Sequence, residues 1–242
     1  GHPGGFGLAA LAAQSLGGEA YEVVVAENGG ADASREISDD FARRFENFRY
    51  LHDPRPGQHV GWHRALEHAR GEVVCFIDDD VRPRTGWLAA IGAAFADASV
   101  GLLTGPIVGA FEADPPDWLA HLRLGEKGAE TLPPLGLLDF GAQIREIPAN
   151  FVWGSNFIIR RDALVKVGGF HPCAMPGNLM KFCGDGEIAP ARAVAGLGMK
   201  VIYHPDAAVE HWIPAWRVEL ETLERRFQSA GIARSFQYLR QT

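Results

Sequence analysis

The chain has 242 residues with 47% hydrophobic and 22% charged content, enough for one large α/β domain, or a domain with an appendage, around a substantial core. Its net charge of −7 argues against a general nucleic-acid binder, which would be basic, yet leaves room for an anionic ligand held by a metal and local arginines. No run of about 18 apolar residues and no signal peptide is present, so no membrane span is expected.

The chain opens at Gly1-His2 rather than Met, which reads as a scar or a truncation. Residues 1–7 are glycine-rich and expected to be mobile, and Leu8, Leu11, Ala12 and Leu16 mark an amphipathic helix closed by Gly17-Gly18. Tyr21-Glu22-Val23-Val24-Val25-Ala26 reads as a buried strand ending in Glu27-Asn28-Gly29-Gly30. Such a turn can offer backbone amides to a phosphate, or be simply a turn. Residues 32–45 predict a helix and residues 48–51 a short strand, and Asp53-Pro54-Arg55-Pro56-Gly57 breaks the chain. Trp62, Ala65, Leu66 and Ala69 recur at helical spacing, with Trp62 assigned to the core.

Glu72-Val73-Val74-Cys75-Phe76-Ile77-Asp78-Asp79-Asp80 follows. An apolar run of that length and β-branched bias predicts a central strand buried on both faces, and Cys75 a small core residue. Ligands of open α/β sheets gather at the carboxyl ends of strands. Three carboxylates at such an edge repel one another, and a hard cation, Mg²⁺ or Mn²⁺, would offset them. The plain alternative is an acidic cap on the next helix.

Trp87, Leu88, Ile91 and Phe95 form another helical face, with Trp87 in the core, and residues 100–108 predict one strand. Alternating strands and helices to this point imply a mainly parallel sheet. Residues 110–150, with Pro115-Pro116, Pro133-Pro134 and Pro148, read as a loop-rich excursion over the sheet edge. Residues 151–159 return to strand character, Arg160-Arg161-Asp162 opens a short helix, and Gly168-Gly169-Phe170 leads to Gly184-Asp185-Gly186-Glu187 and a helix to about residue 197. Residues 199–203 and 207–210 are short strands, with His211-Trp212 just beyond. The tail shows two helical faces separated by Gly231. The odd cysteine count (Cys75, Cys173, Cys183) favours a reducing compartment, so a cytoplasmic protein is expected, with peripheral membrane association open.

Taken together, the strand end at Glu27-Asn28, the triplet Asp78-Asp79-Asp80, Trp153-Gly154-Ser155-Asn156, Arg160-Arg161, the acidic Gly184-Asp185-Gly186-Glu187 loop and His211 occur in an order that resembles family 2 glycosyltransferases of the GT-A fold. The resemblance covers nearly the whole chain from about residue 8. The family normally opens with a strand before its first helix, which this sequence lacks.

The resemblance implies that Asp78 and Asp80 are the acidic pair of an Asp-x-Asp motif, with Asp80 on the metal and Asp78 near the ribose or the metal's water shell. A departing nucleoside diphosphate gains negative charge, which a cation stabilises. Asp79 would face the nucleoside or a neighbouring amide. Glu27 takes the place of an Asp that contacts the base or ribose, with Asn28 beside it. Asp185 or Glu187 would be the general base, with Asp185 favoured. His211 would contact the metal or the diphosphate. Trp153 and Trp212 flank the expected site and could stack on a sugar, and Asn156 and Arg160 join the donor-binding set, while Arg161, Arg225 and Arg226 read better as surface charge.

The expected whole is one GT-A domain with a nucleotide-binding half (residues 8–108), an acceptor half (109–215) and a helical tail (216–242). It would move a sugar from a nucleotide-diphosphate sugar to an unidentified acceptor hydroxyl, with inversion. A sugar nucleotidyltransferase and a non-catalytic nucleotide- or glycan-binding relative stay open beside it. The nucleotidyltransferase would need a glycine-rich phosphate loop, of which Gly4-Gly5-Phe6-Gly7 is a poor version.

Overall fold

The structure, a computed structural model, describes residues 3–29, 34–126, 129–170 and 186–241. Helix α1 (Pro3–Ala12) begins inside the glycine-rich opening where the sequence predicts mobile chain. Its glycines permit close packing: a Cβ on Gly7 would lie 2.9 Å from the Val81 carbonyl oxygen. Strands β1 (Val23–Asn28) and β2 (Phe48–Asp53) run parallel in a two-stranded sheet, connected through α2 (Ser34–Ala42). Val23, Phe41 and Phe45 form a small core of their own against Tyr21 and Phe48.

Helix α3 (Gln58–His68) leads into β3 (Val73–Phe76), followed by β4 (Val81–Pro83), α4 (Trp87–Phe95), β5 (Val100–Thr104) and β6 (Ile107–Phe111). The single strand expected over residues 100–108 is thus two, serving different sheets. The break falls at Gly105-Pro106, where Pro106 has no N–H for a ladder and a Cβ on Gly105 would lie 2.1 Å from Ala207 O.

Residues 110–150 are more regular than their prolines suggest. They contribute β7 (Leu124–Glu126), β8 (Ala129–Leu132), β9 (Leu137–Asp139) and β10 (Arg145–Glu146). Next come β11 (Phe157–Arg160), α5 (Arg161–Lys166), α6 (Ile188–Gly196), β12 (Lys200–Tyr203), β13 (Val209–Ile213) and α7 (Leu220–Gln241). The tail is one 22-residue helix that runs through Gly231 rather than two.

A five-stranded sheet has the order β10-β12-β5-β11-β3, and a six-stranded sheet the order β4-β13-β6-β9-β8-β7. The expected mainly parallel sheet is mixed in detail. In the five-stranded sheet β5 and β12 are parallel, whereas β11 lies antiparallel to both β5 and β3, because the excursion returns the chain from the opposite end. Strand β3 ends the sheet order instead of sitting at its centre, and Val73, Val74 and Cys75 are only half-buried. Among the described residues β1 pairs with β2 and β3 with β11, so β1 and β3 share no ladder. Cys75 packs against the core from this edge rather than inside it, and desolvation there still pushes its thiol up to about 12; Cys173 and Cys183 lie outside the described residues.

The main core lies between the sheets and the helices covering them, with Trp87, Leu102, Leu103, Phe157, Ile158 and Tyr203 almost fully enclosed. No helix among the described residues is long and apolar enough to cross a membrane.

Candidate active site

Asp78, Asp79 and Asp80 occupy the turn that carries the chain from the five-stranded sheet, at the end of β3, to the six-stranded sheet at β4. The turn is closed by Val81 N–H donating to Asp78 O at 3.2 Å. Strand β13 then fixes it from the other side. Its register sets His211 opposite Val81, and Trp212 N–H donates to Asp80 O at 2.8 Å. His211 therefore stands beside Asp80, with its Nε2 3.4 Å from Asp80 Oδ2. It is buried within β13, not placed after a strand.

A cation that the sequence did not advertise completes this group. Arg217, on a short 3₁₀ turn at Ala215–Val218, brings Nη1 to 3.1 Å from Asp80 Oδ2 and 2.8 Å from His211 Nε2. A guanidinium can only donate, so at that contact the imidazole accepts. Arg217 lies over the ring of Trp216, 5.8 Å from its centroid. Arg226, on α7, donates to Pro134 O at 2.5 Å, and its pKa is lowered by burial first and then by Arg217. It is half-buried rather than the solvated charge expected. Gly136, with φ of 66°, lies against the His211 ring; a Cβ there would be 3.7 Å from His211 Cε1.

The two outer carboxyls of the triplet have opposite environments. Burial drives Asp78 up to about 6, and the charge of Asp80 adds to the rise. Burial would also raise Asp80, but its polar contact with His211 and the charge of Arg217 more than offset it and hold that carboxyl below its ordinary range. Gln58, in the first turn of α3, donates to Asp78 Oδ1 at 3.2 Å. Asp79 between them is exposed.

Helix α3 also ties the end of β1 to this turn. A Cβ on Gly61 would fall 2.9 Å from Asn28 Oδ1, so the helix that brings Gln58 to Asp78 also packs against the end of β1. Glu27, beside Asn28, accepts a hydrogen bond from the Tyr50 hydroxyl. On the opposite flank Glu187 precedes α6. Its Oε1 lies 3.9 Å from where a Cβ on Gly154 would stand, and its charge helps raise Asp78. Trp153 borders the same spot, half-buried, with Nε1 donating to Asn150 O at 2.9 Å. Asp185, the favoured base, lies outside the described residues. Trp212, 39% exposed, follows His211.

Two expected donor contacts stand elsewhere. Asn156 is fully enclosed; its Oδ1 accepts from Trp87 Nε1 at 3.0 Å and its Nδ2 donates to Ala207 O at 2.9 Å. Its amide is occupied as a strut inside the core. Arg160 pairs across the ladder with Val73, at the end of β3 away from the aspartates. It lies over the Phe95 ring and donates to Val100 O and Phe95 O. Its charge serves the carboxyl end of α4, where a cation is favourable. No sequence pattern distinguished Gln58 or Arg217 from other polar residues; both act through contacts 20 or more positions away or across a tight turn.

The residues present fit a hard cation that also takes oxygens from its substrate. Asp80 Oδ1 and His211 Nδ1 are buried without hydrogen-bond partners. Among the described residues no three or more His, Cys, Asp or Glu side chains gather closely enough to hold an ion alone. Mg²⁺ and Mn²⁺ sites of this chemistry commonly use one or two carboxylates and complete the shell with water and phosphate oxygens.

With this geometry in view, the comparisons are consistent. The profile described as Glycosyl transferase family 2 matches residues 7–168, and the chain belongs to that family. It is 27% identical over 195 residues to a pre-mycofactocin glycosyltransferase of Mycobacterium tuberculosis, covering 78% of this chain and 37% of that protein. It is 25% identical over 209 residues to a glucosyl-dolichyl phosphate glucuronosyltransferase of Haloferax volcanii, covering 85% and 63%. The chain thus spans about a third to two thirds of the length of these relatives. Its fold is that of GT-A glycosyltransferases. A mannosyltransferase of Pyrobaculum calidifontis solved with GDP-Man and Mn²⁺ aligns with a TM-score of 0.61 at 21% identity, over 86% of this chain and 52% of that one. Residues 1–349 of S. aureus TarS, solved with UDP-GlcNAc, align with a TM-score of 0.58 at 16% identity, over 90% and 56%.

Proposed function

We propose that this chain carries the donor site and transfer chemistry of an enzyme that moves a sugar from a nucleotide-diphosphate sugar to an acceptor hydroxyl, using Mn²⁺ or Mg²⁺. The observation that carries the reading is the meeting of Asp80 with His211 at the carboxyl end of β3, inside a chain of this family. Both solved relatives named above hold nucleotide sugars, and one holds Mn²⁺.

Asp80 and His211 would hold the cation, with Asp78 beside them. When bound, the ion neutralises charge that develops on the departing diphosphate. Glu27 and Asn28 would meet the base or ribose from the end of β1, with Asp79 toward the nucleoside, and Trp153 would face the sugar. A carboxylate on the α6 side then takes the proton of the attacking hydroxyl as that oxygen displaces the nucleoside diphosphate with inversion. Glu187 or Asp185 fills that role, and Glu187 already stands close enough for its charge to act on Asp78. Residues 8–108 would form the nucleotide half, 109–215 the acceptor half and 216–242 the tail of a single GT-A unit in the cytoplasm. The nucleotidyltransferase alternative has less support, because Gly4, Gly5 and Gly7 belong to α1 and form no phosphate loop.

The test is calorimetric titration with UDP, GDP, TDP and CDP, with and without Mn²⁺. Metal-dependent binding of at least one is expected; no binding of any would remove the donor-site reading. Transfer assays on Glu187→Gln and Asp185→Asn then assign the base, and full turnover by both variants would exclude either role.

A further inference from the structure

We propose that Arg217 and the divalent cation compete for the same two atoms, Asp80 Oδ2 and His211 Nε2, so that binding of the ion releases Arg217 to the donor's phosphates. The proposal rests on the donor-site reading above and assigns Arg217 a role within it.

Arg217 Nη1 sits 3.1 Å from the carboxylate oxygen and 2.8 Å from the imidazole nitrogen. That places a positive nitrogen between an anionic oxygen, the donor a hard cation takes, and a ring lone pair that Mn²⁺ could take beside it. The imidazole cannot give one lone pair to both an N–H and an ion. A dication entering there therefore displaces the guanidinium.

The displaced side chain has somewhere to go and a reason to move. Its Nε is buried and unpartnered, so its present position leaves one donor unsatisfied. Arg226 stands near enough for its charge to disfavour a second buried guanidinium. An arriving diphosphate supplies the multidentate anionic acceptor that the planar guanidinium fork matches. Trp216 lies against the side chain from one face.

The test uses Mn²⁺ alone first, followed by electron paramagnetic resonance or calorimetry on the full chain without nucleotide. Arg217→Met keeps the aliphatic stem and removes the charge and N–H donors, and is expected to bind Mn²⁺ about tenfold more tightly than the parent. Arg217→Lys should fall between them. In saturating Mn²⁺, the same Arg217→Met chain is expected to lose about tenfold in affinity for the tighter of UDP and GDP. Unchanged or weaker Mn²⁺ binding by Arg217→Met, with parent-like circular dichroism, overturns the competition. Asp80→Ala separates the two readings. If Asp80→Ala abolishes Mn²⁺ binding while Arg217→Met leaves it unchanged, the donor site stands and the exchange fails. If Asp80→Ala binds Mn²⁺ as the parent does, the site itself is misassigned.

Discussion

Asp78 and Asp80 sit two positions apart on one turn, and their carboxyls are displaced in opposite directions: Asp78 up to about 6, Asp80 below the usual range. Desolvation acts on both, but the direct contacts of His211 and Arg217 are with Asp80. The consequence for stability follows from the sign. A raised pKa means that the folded chain holds the Asp78 proton more tightly than the unfolded chain does. The associated stability is full below 3.8 and is lost as pH rises through about 6. In EDTA, Asp78→Asn is therefore expected to be more stable than the parent at pH 7, by an amount on the order of 2–3 kcal/mol at most. The difference should close toward pH 4. Urea unfolding across that range checks it, and a pH-independent difference would contradict the assignment. Asp80→Asn, by contrast, should lose about 100-fold or more in Mn²⁺-dependent nucleotide affinity, roughly 2.7 kcal/mol, in calorimetry. The acidic cluster at a strand end is legible because carboxylate type and position are both in the sequence. Which carboxylate is paired was not, since that depends on β13 and on Arg217, more than 130 residues further on.

At the scale of elements, hydrophobic periodicity located α3 and α4, and the apolar runs located β1 and β3. It failed where an element's character depends on a partner. Asn156 falls next to an aromatic and a serine in a stretch that resembles a binding motif, yet its amide bridges α4 to the segment before β13 through Trp87 and Ala207. Asn156→Ala should leave two buried groups unpaired and open a small cavity, destabilising the fold by about 2–4 kcal/mol. Chemical denaturation measures that loss, while nucleotide affinity of the folded fraction stays near the parent's; a selective loss of affinity without a loss of stability would restore the donor-contact reading. Gly105 makes the same point for strands. Residues 100–108 look like one strand, and the chain divides them between two sheets at a position where no side chain fits beside Ala207 O. Gly105→Ala is expected to cost about 3 kcal/mol or more, because backbone on both sides must shift. A melting temperature within a degree of the parent's would refute it.

Across the whole molecule, the site forms where three sheets approach through one turn and one helix. The turn at residues 78–80 joins the five-stranded and six-stranded sheets, and α3 links it to the end of β1. Such a site is part of the folded state alone, so its ligands should stabilise the molecule. A nucleotide at 100 times its dissociation constant, with Mn²⁺, is expected to add about 2.7 kcal/mol, read as a rise in melting temperature that EDTA abolishes. By itself the sequence determined the α/β class, the run of apolar strands, the acidic strand end and the order of motifs that marks the family. Those features are local, written in residue type and period. The tertiary structure decided which strands pair, which polar residues are struts and which gather around Asp80, and that Arg217 faces Asp80. These depend on long-range register and on the direction in which each chain segment returns, for which neighbouring residues carry no code.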